Sequence, residues 1–170
     1  HIPGPDGGKS IADVLDMTVS EAQGFFASHP EVLRTLEPLA AVGLQYLRLG
    51  QPVTTLSGGE AQRLKLAGEL ALSGSARKLL LLDEPTTGLH FHDIALLLNA
   101  LRTLLADGHS LIIVEHNLDV IWSADWVIDL GPEAGEDGGR LVAEGTPRQI
   151  AAVTHSHTGR ALRRYRQRLR

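Results

Sequence analysis

Two neighbouring carboxylates, Asp83 and Glu84, close the apolar run Leu79-Leu80-Leu81-Leu82 and precede Pro85. A short apolar run ended by charge reads as a strand buried on both faces, with the acids at its C-terminal end. Ligands of α/β sheets bind at such ends, where Asp83 could hold Mg²⁺ directly or through water. Glu84 could orient and polarise an attacking water. A strand that simply leaves the sheet into solvent would show the same pair.

Leu56-Ser57-Gly58-Gly59-Glu60-Ala61-Gln62 offers a second chemistry. Ser57 and Glu60, three residues apart, form a capping box that starts a helix. Such a box needs no glycines, and each costs up to about 1 kcal/mol against alanine inside a helix. Paired glycines suit backbone amides that must approach an anion closely, at the positive end of a helix dipole. Capping and phosphate binding both stand on these residues. Val114-Glu115-His116 repeats the arrangement of the acids: an apolar run, then polar side chains. His116 is then either an ordinary hydrogen-bonded residue or a donor to a γ-phosphate.

Other candidates carry less. Gly4-Pro5-Asp6-Gly7-Gly8-Lys9-Ser10 imitates a phosphate loop, but the position five before Gly8 is Pro3. The pattern requires glycine there, and Pro5 removes an amide from the cradle. His90-Phe91-His92 and His155-Ser156-His157 have a metal-pair spacing without a third ligand.

The elements that position these residues follow from periodicity and punctuation. Residues 1–10 read as loop. Thr18 and Glu21 make a capping box for a helix through Phe26 to His29. A second helix runs from Pro30 toward Val42, with a kink or break expected at Pro38. The helix opened by Ser57 carries Leu64, Leu66, Ala67 and Leu70 and ends near Ser73-Gly74. Ile94 to Leu105 is helical and stops at Asp107-Gly108; Leu111 to Val114 is a second buried strand. Leu118 to Ala124 is a short helix and Trp126 to Leu130 a third strand. Gly138-Gly139 and Leu141-Val142-Ala143 suggest its hairpin partner, and Thr146-Pro147 with Gln149 opens a further helix. This rhythm predicts an α/β fold, a parallel sheet flanked by helices. Nothing upstream of Thr54 reads as the strand that would lead into a phosphate loop.

Taken together, Ser-Gly-Gly at a helix start, Asp-Glu 26 residues after Ser57 and His 32 residues after Glu84 resemble an ABC-type ATPase. The resemblance makes Leu56 to Gln62 the family signature, Asp83-Glu84 the Mg²⁺ ligand and catalytic carboxylate, and His116 the switch histidine. Gly88-Leu89-His90 falls where these ATPases have the loop that reaches a partner domain, although most of them carry Asp where His90 stands. The wider text resembles the UvrA family of damage-sensing DNA-repair ATPases. It includes Ile11 to Thr18, Leu49-Gly50-Gln51-Pro52, Asp83 to Phe91, Glu115 to Val120, Ala124-Asp125-Trp126 and Ile128 to Pro132. The likeness runs from about Ile11 to Gly159 and points to the C-terminal part of the second nucleotide-binding domain.

That resemblance implies a partial domain without its phosphate-loop strand: a helical lead-in over 1–53, the ATPase portion over 54–159 and a basic tail over 160–170. It implies ATP and Mg²⁺ as cofactors, with each composite site half built. Ser57, Gly58, Gly59 and Gln62 face an ATP held elsewhere, while Asp83, Glu84 and His116 belong to another site. The implied partners are the remaining UvrA domains, a second UvrA copy, UvrB and damaged double-stranded DNA, in the cytoplasm. The fragment is expected to be inactive alone. The competing class is a stand-alone ABC-type half-domain acting as a binding or regulatory module, such as a UvrA-like drug-tolerance protein. Transporter ATPases do not carry the Glu115 to Val120 and Ile128 to Pro132 text.

Composition supports part of this frame. The 170 residues carry 43% hydrophobic and 21% charged side chains, ordinary globular usage. Absent cysteines exclude a disulfide framework, thiol catalysis and a Cys-based zinc module from these residues, so any zinc lies outside this chain. No apolar run reaches the roughly 18 residues of a membrane span. Six arginines and no acid fall between Arg160 and Arg170; without them ten basic residues face twenty acidic ones, a net −10 against −4 for the whole. This basic tail suits either a phosphate contact or a solvated helix built on Leu162, Tyr165 and Leu169.

Overall fold

The computed structural model describes residue 2 and residues 8–72, 76–131 and 139–168, in two compact units, His1–Val114 and Glu115–Arg170. The phosphate-loop imitation and the Ser73-Gly74 stop lie mostly outside the described residues, as do Gly138 and Leu169.

Three helices lead the first unit. α1 (Ile11–Asp16) is capped by Ser10, whose hydroxyl accepts from the Asp13 N–H while the Asp13 carboxylate accepts from Ser10 N–H. α2 (Val19–Phe25) repeats that box with Thr18 and Glu21. α3 (Pro30–Ala41) runs through Pro38 without the expected break. Proline withholds the bond to the Arg34 carbonyl, but Arg34 is exposed, so water can satisfy that group. Val14, Met17, Val19, Ala22, Phe26 and Leu36 form the core of this helical part. Upstream of Thr54 the described residues contain only two isolated bridges, Ile2 with Lys9 and Thr18 with Arg48, and no strand.

α4 (Gly58–Ala71), β1 (Leu79–Asp83), α5 (Phe91–Ala106) and β2 (Ser110–Val114) complete this unit. β1 and β2 pair in parallel, with Leu79 opposite Ser110 and Asp83 opposite Val114. α5 buries Ile94, Leu97, Ala100, Leu101 and Leu104, the stripe that a 3.6-residue period gives. Leu97, Ala100, Leu101 and Leu104 pack with Val42, Leu44, Leu66, Ala67 and Leu82, and truncating fully buried Leu97 or Leu104 to alanine should cost about 2–5 kcal/mol. α5 ends at Gly108, whose φ of 89° favours glycine.

The strands are not buried on both faces as their composition suggests. Leu80, Leu82, Leu111 and Ile113 turn toward the helical core, whereas Leu79, Leu81, Ile112 and Val114 are 54–70% exposed. Side chains alternate across a sheet, and no described element of this unit covers the second face.

The second unit holds α6 (Leu118–Ser123), β3 (Val127–Gly131), β4 (Arg140–Gly145), α7 (Pro147–Ala152) and α8 (His157–Arg168). β3 and β4 pair antiparallel, as the hairpin reading requires, with an irregularity between Asp129 and Leu130. Buried Ile150, Ala151 and Leu162 pack with Leu118, Ile121, Trp122, Val127 and Ala143. Asp129 accepts the hydroxyls of Ser156 and Thr158 at 2.6 and 2.7 Å, which fixes the approach to α8. The α8 arginines are not uniformly solvated. Arg163 donates to the carbonyls of Ala151 and Val153 at 2.8 and 3.4 Å, closing the end of α7, while Arg164 and Arg166 are exposed.

Candidate functional site

Within the first unit, the start of α4 and the turn after β1 come together. Ser57 caps α4: its N–H donates to Glu60 Oε2 at 2.7 Å, and its hydroxyl accepts from Glu60 N–H at 3.2 Å. The Tyr46 hydroxyl adds a bond to Glu60 Oε1 at 2.6 Å. That bond, then those from Ser57, hold the Glu60 carboxyl below its ordinary pKa. Neither Gly58 nor Gly59 has a positive φ. A Cβ on Gly58 would meet nothing within 4 Å, and one on Gly59 would make only ordinary contacts with Arg63 and Thr87. Nothing within the described chain demands these glycines.

At the end of β1, Asp83 and Glu84 are both exposed. Glu84 extends the parallel ladder by donating its N–H to the Val114 carbonyl at 2.8 Å. It then turns the chain with φ at 44°, the one non-glycine residue with positive φ among those described. Such a conformation costs an acidic residue about 1–2 kcal/mol. The turn is held by Thr87 N–H donating to Glu84 O at 3.0 Å and Leu89 N–H donating to Thr86 O at 3.1 Å. Pro85 is fully buried beneath it and Thr86 is 8% exposed. Gly88, with φ at 76°, and Leu89 lead to exposed His90, which occupies the N-cap position of α5 without a side-chain capping bond.

Consecutive residues of α4 fasten this turn. With its carboxamide nitrogen facing the Asp83 carbonyl, Gln62 donates there at 2.9 Å and accepts from Asp83 N–H at 2.7 Å. It thus gives the free edge of β1 the two bonds that a further strand would supply. Arg63, only 2% exposed, donates Nη1 to the carbonyls of Pro85 at 3.2 Å and Thr87 at 3.4 Å. Sequence reasoning missed Arg63, although the signal was there. It falls on the buried stripe with Leu66 and Ala67, and a charge on an apolar stripe requires partners.

In the second unit, exposed His116 sits between two local braces. Glu115 Oε2 accepts from the N–H groups of His116 and Asn117 at 2.9 and 3.0 Å. Asn117 caps α6, its Oδ1 accepting from Asp119 and Val120 N–H at 2.9 and 3.3 Å. The sequence reading named Glu115 only as part of the His116 motif and missed its bracing role. The two histidine pairs gain nothing, since no described group of three or more His, Asp or Glu could hold a metal.

A family model described as ABC transporter matches residues 10–87. UvrABC system protein A of Aquifex aeolicus is 57% identical over 93% of this chain, and that of Neisseria meningitidis is 59% identical over 92%. The chain spans 17% and 16% of the length of these two relatives. Among solved structures, UvrA2 of Deinococcus radiodurans superposes with a TM-score of 0.81 at 55% identity, over 92% of this chain and 19% of its own. The ATP-binding subunit of an ABC transporter superposes at 0.53 over 88% of this chain and 63% of its own; at 23% identity it speaks for the fold alone. Over nine-tenths of its length, the chain is similar in sequence to UvrABC system protein A, and it has the partial nucleotide-binding fold of an ABC-type ATPase.

Proposed function

We propose that these residues are the C-terminal part of the second nucleotide-binding domain of a UvrA-like ATPase that recognises DNA damage in nucleotide excision repair. The observation that carries this reading is Glu84, held in a left-handed turn beside exposed Asp83 at the C-terminal end of parallel strands. Backbone strain of this kind collects at functional sites.

In this reading Glu84 accepts the proton of the attacking water, and Asp83 offers a hard oxygen ligand. Mg²⁺, when bound, would neutralise phosphate charge; it commonly takes one or two carboxylates and completes its shell with phosphates and water, so a single exposed Asp suffices. His116, its backbone braced by Glu115, donates to a γ-phosphate. Ser57 and the Gly58 and Gly59 amides approach the γ-phosphate of a nucleotide held by another domain. Gly88, Leu89 and His90 face that partner domain. DNA, UvrB and a second UvrA copy are the partners of the whole protein in this reading, and the cytoplasm is its place. No described helix is long and apolar enough to cross a membrane.

Glu84→Gln in the intact protein tests the reading: ATP binding should persist and hydrolysis should fall at least a hundredfold, the scale of a lost general base. Unchanged turnover would remove Glu84 from the chemistry. The 170-residue chain, with no lysine-bearing phosphate loop, should not hydrolyse ATP alone.

A further inference from the structure

The start of α4 and the turn after β1 belong, on the reading above, to two different composite sites, yet here they are joined by side chains of adjacent residues. We infer that Gln62 and Arg63 are positioning residues: they hold Glu84 in place and make the acidic turn move together with the glycine-bearing helix end.

Three observations carry this. Gln62 grips both backbone groups of Asp83, the residue before Glu84, at 2.7 and 2.9 Å. Arg63 grips the carbonyls of Pro85 and Thr87, on the other side of Glu84, at 3.2 and 3.4 Å. Glu84 between them has a backbone conformation that an acidic residue does not keep without restraint. A two-sided clamp on a strained residue is such a restraint. Because both clamps start on one helix turn, a shift of α4 is carried to Asp83 and Thr87 rather than absorbed between them.

The surroundings of Arg63 tie the turn to the start of α4. It is buried against the carbonyls of Pro85 and Thr87 and interacts with the Tyr46 hydroxyl and the Glu60 carboxylate, while its Nε has no hydrogen-bond partner among the described residues. Its geometry fixes the turn: one nitrogen bonds two carbonyls two residues apart while the stem fills the stripe beside Leu66.

The inference rests on Glu84 being the catalytic carboxylate, and the experiment separates the two claims. In the intact ATPase, Gln62→Leu, Arg63→Met, Arg63→Lys and Glu84→Gln are each assayed for kcat, KM for ATP and thermal melting. Gln62→Leu and Arg63→Met should lower kcat about tenfold or more while KM stays within about threefold, as displacement of a reacting group does. Arg63→Lys, which keeps one donor nitrogen, should recover part of that loss. If Arg63→Met does not fold, Gln62→Leu and Arg63→Lys decide. Wild-type kcat in Gln62→Leu and Arg63→Lys, with hydrolysis lost in Glu84→Gln, would overturn the positioning role and leave the catalytic reading standing. Unchanged turnover in Glu84→Gln would overturn both.

Discussion

The Tyr46 hydroxyl donates to the Glu60 carboxylate at 2.6 Å, so the residue that closes the capping box of α4 is itself held from outside the helix. Tyr46 is raised above its ordinary pKa by burial and by this donation to Glu60, and Glu60 is lowered, first by Tyr46 and then by Ser57. A depressed carboxyl contributes stability above its unfolded pKa and loses it as pH falls through the lower folded value. Tyr46→Phe should therefore cost about 1 kcal/mol or less at neutral pH, since Tyr46 is half exposed. The difference should close as pH drops below the ordinary 4.5 of Glu60. Thermal melting of both proteins between pH 3 and 7 checks this. A gap that stays constant with pH would show that the hydroxyl acts by packing alone.

In the second unit Tyr165 on α8 donates to Asp119 on α6. Burial, then the Asp119 bond, push the phenol up to about 12. Here the folded state holds the proton more tightly than the unfolded one, whose phenol ionises near 10. Stability is complete below pH 10 and falls as pH rises toward 12. Tyr165→Phe should be less stable than the parent at pH 8 and should lose less on going to pH 11. Denaturant midpoints at the two pH values decide it.

The helices were legible because each is written locally. Thr18 with Glu21, Ser57 with Glu60 and Thr146 with Gln149 all form the capping boxes that their spacing announces. Ser10 with Asp13 carries an equivalent signal, obscured by the glycines and prolines before it. Asp83 and Glu84 were legible as the end of a parallel strand. The exposed face of Leu79, Leu81, Ile112 and Val114 was not, because an apolar run records what a strand prefers and not what is present to cover it. Arg63 on its apolar stripe announced a need for partners, but not which: the clamp of Gln62 and Arg63 joins residues 21 to 24 apart in sequence through backbone groups, which leave no mark in residue types.

Glu84 makes a further prediction about cost. With φ at 44°, it should be more comfortable as glycine. Glu84→Gly should raise stability by about 0.5–1 kcal/mol, the relief of a left-handed residue less the added freedom of the unfolded chain. Hydrolysis in the intact protein should be lost at the same time. Equal or lower stability of the variant, measured by denaturant unfolding, would mean that the side-chain bond from Thr87 at 3.4 Å outweighs the strain.

Two glycines separate the needs of the fold from the needs of the site. At Gly159 a Cβ would lie 2.8 Å from the Val153 carbonyl and nearer still to that of Ile150, both fixed backbone. Gly159→Ala must therefore shift α8 and should cost about 1–3 kcal/mol, the usual penalty of forced overpacking. At Gly58 a Cβ meets nothing within 4 Å, and the backbone is helical. Gly58→Ala should leave melting unchanged or raise stability by up to about 1 kcal/mol, because alanine is the better helix former. If Gly58 exists to let a phosphate reach the α4 amides, the same variant should slow ATP hydrolysis in the intact protein while the fold is untouched. Full activity in a folded Gly58→Ala protein would return this position to ordinary helix capping.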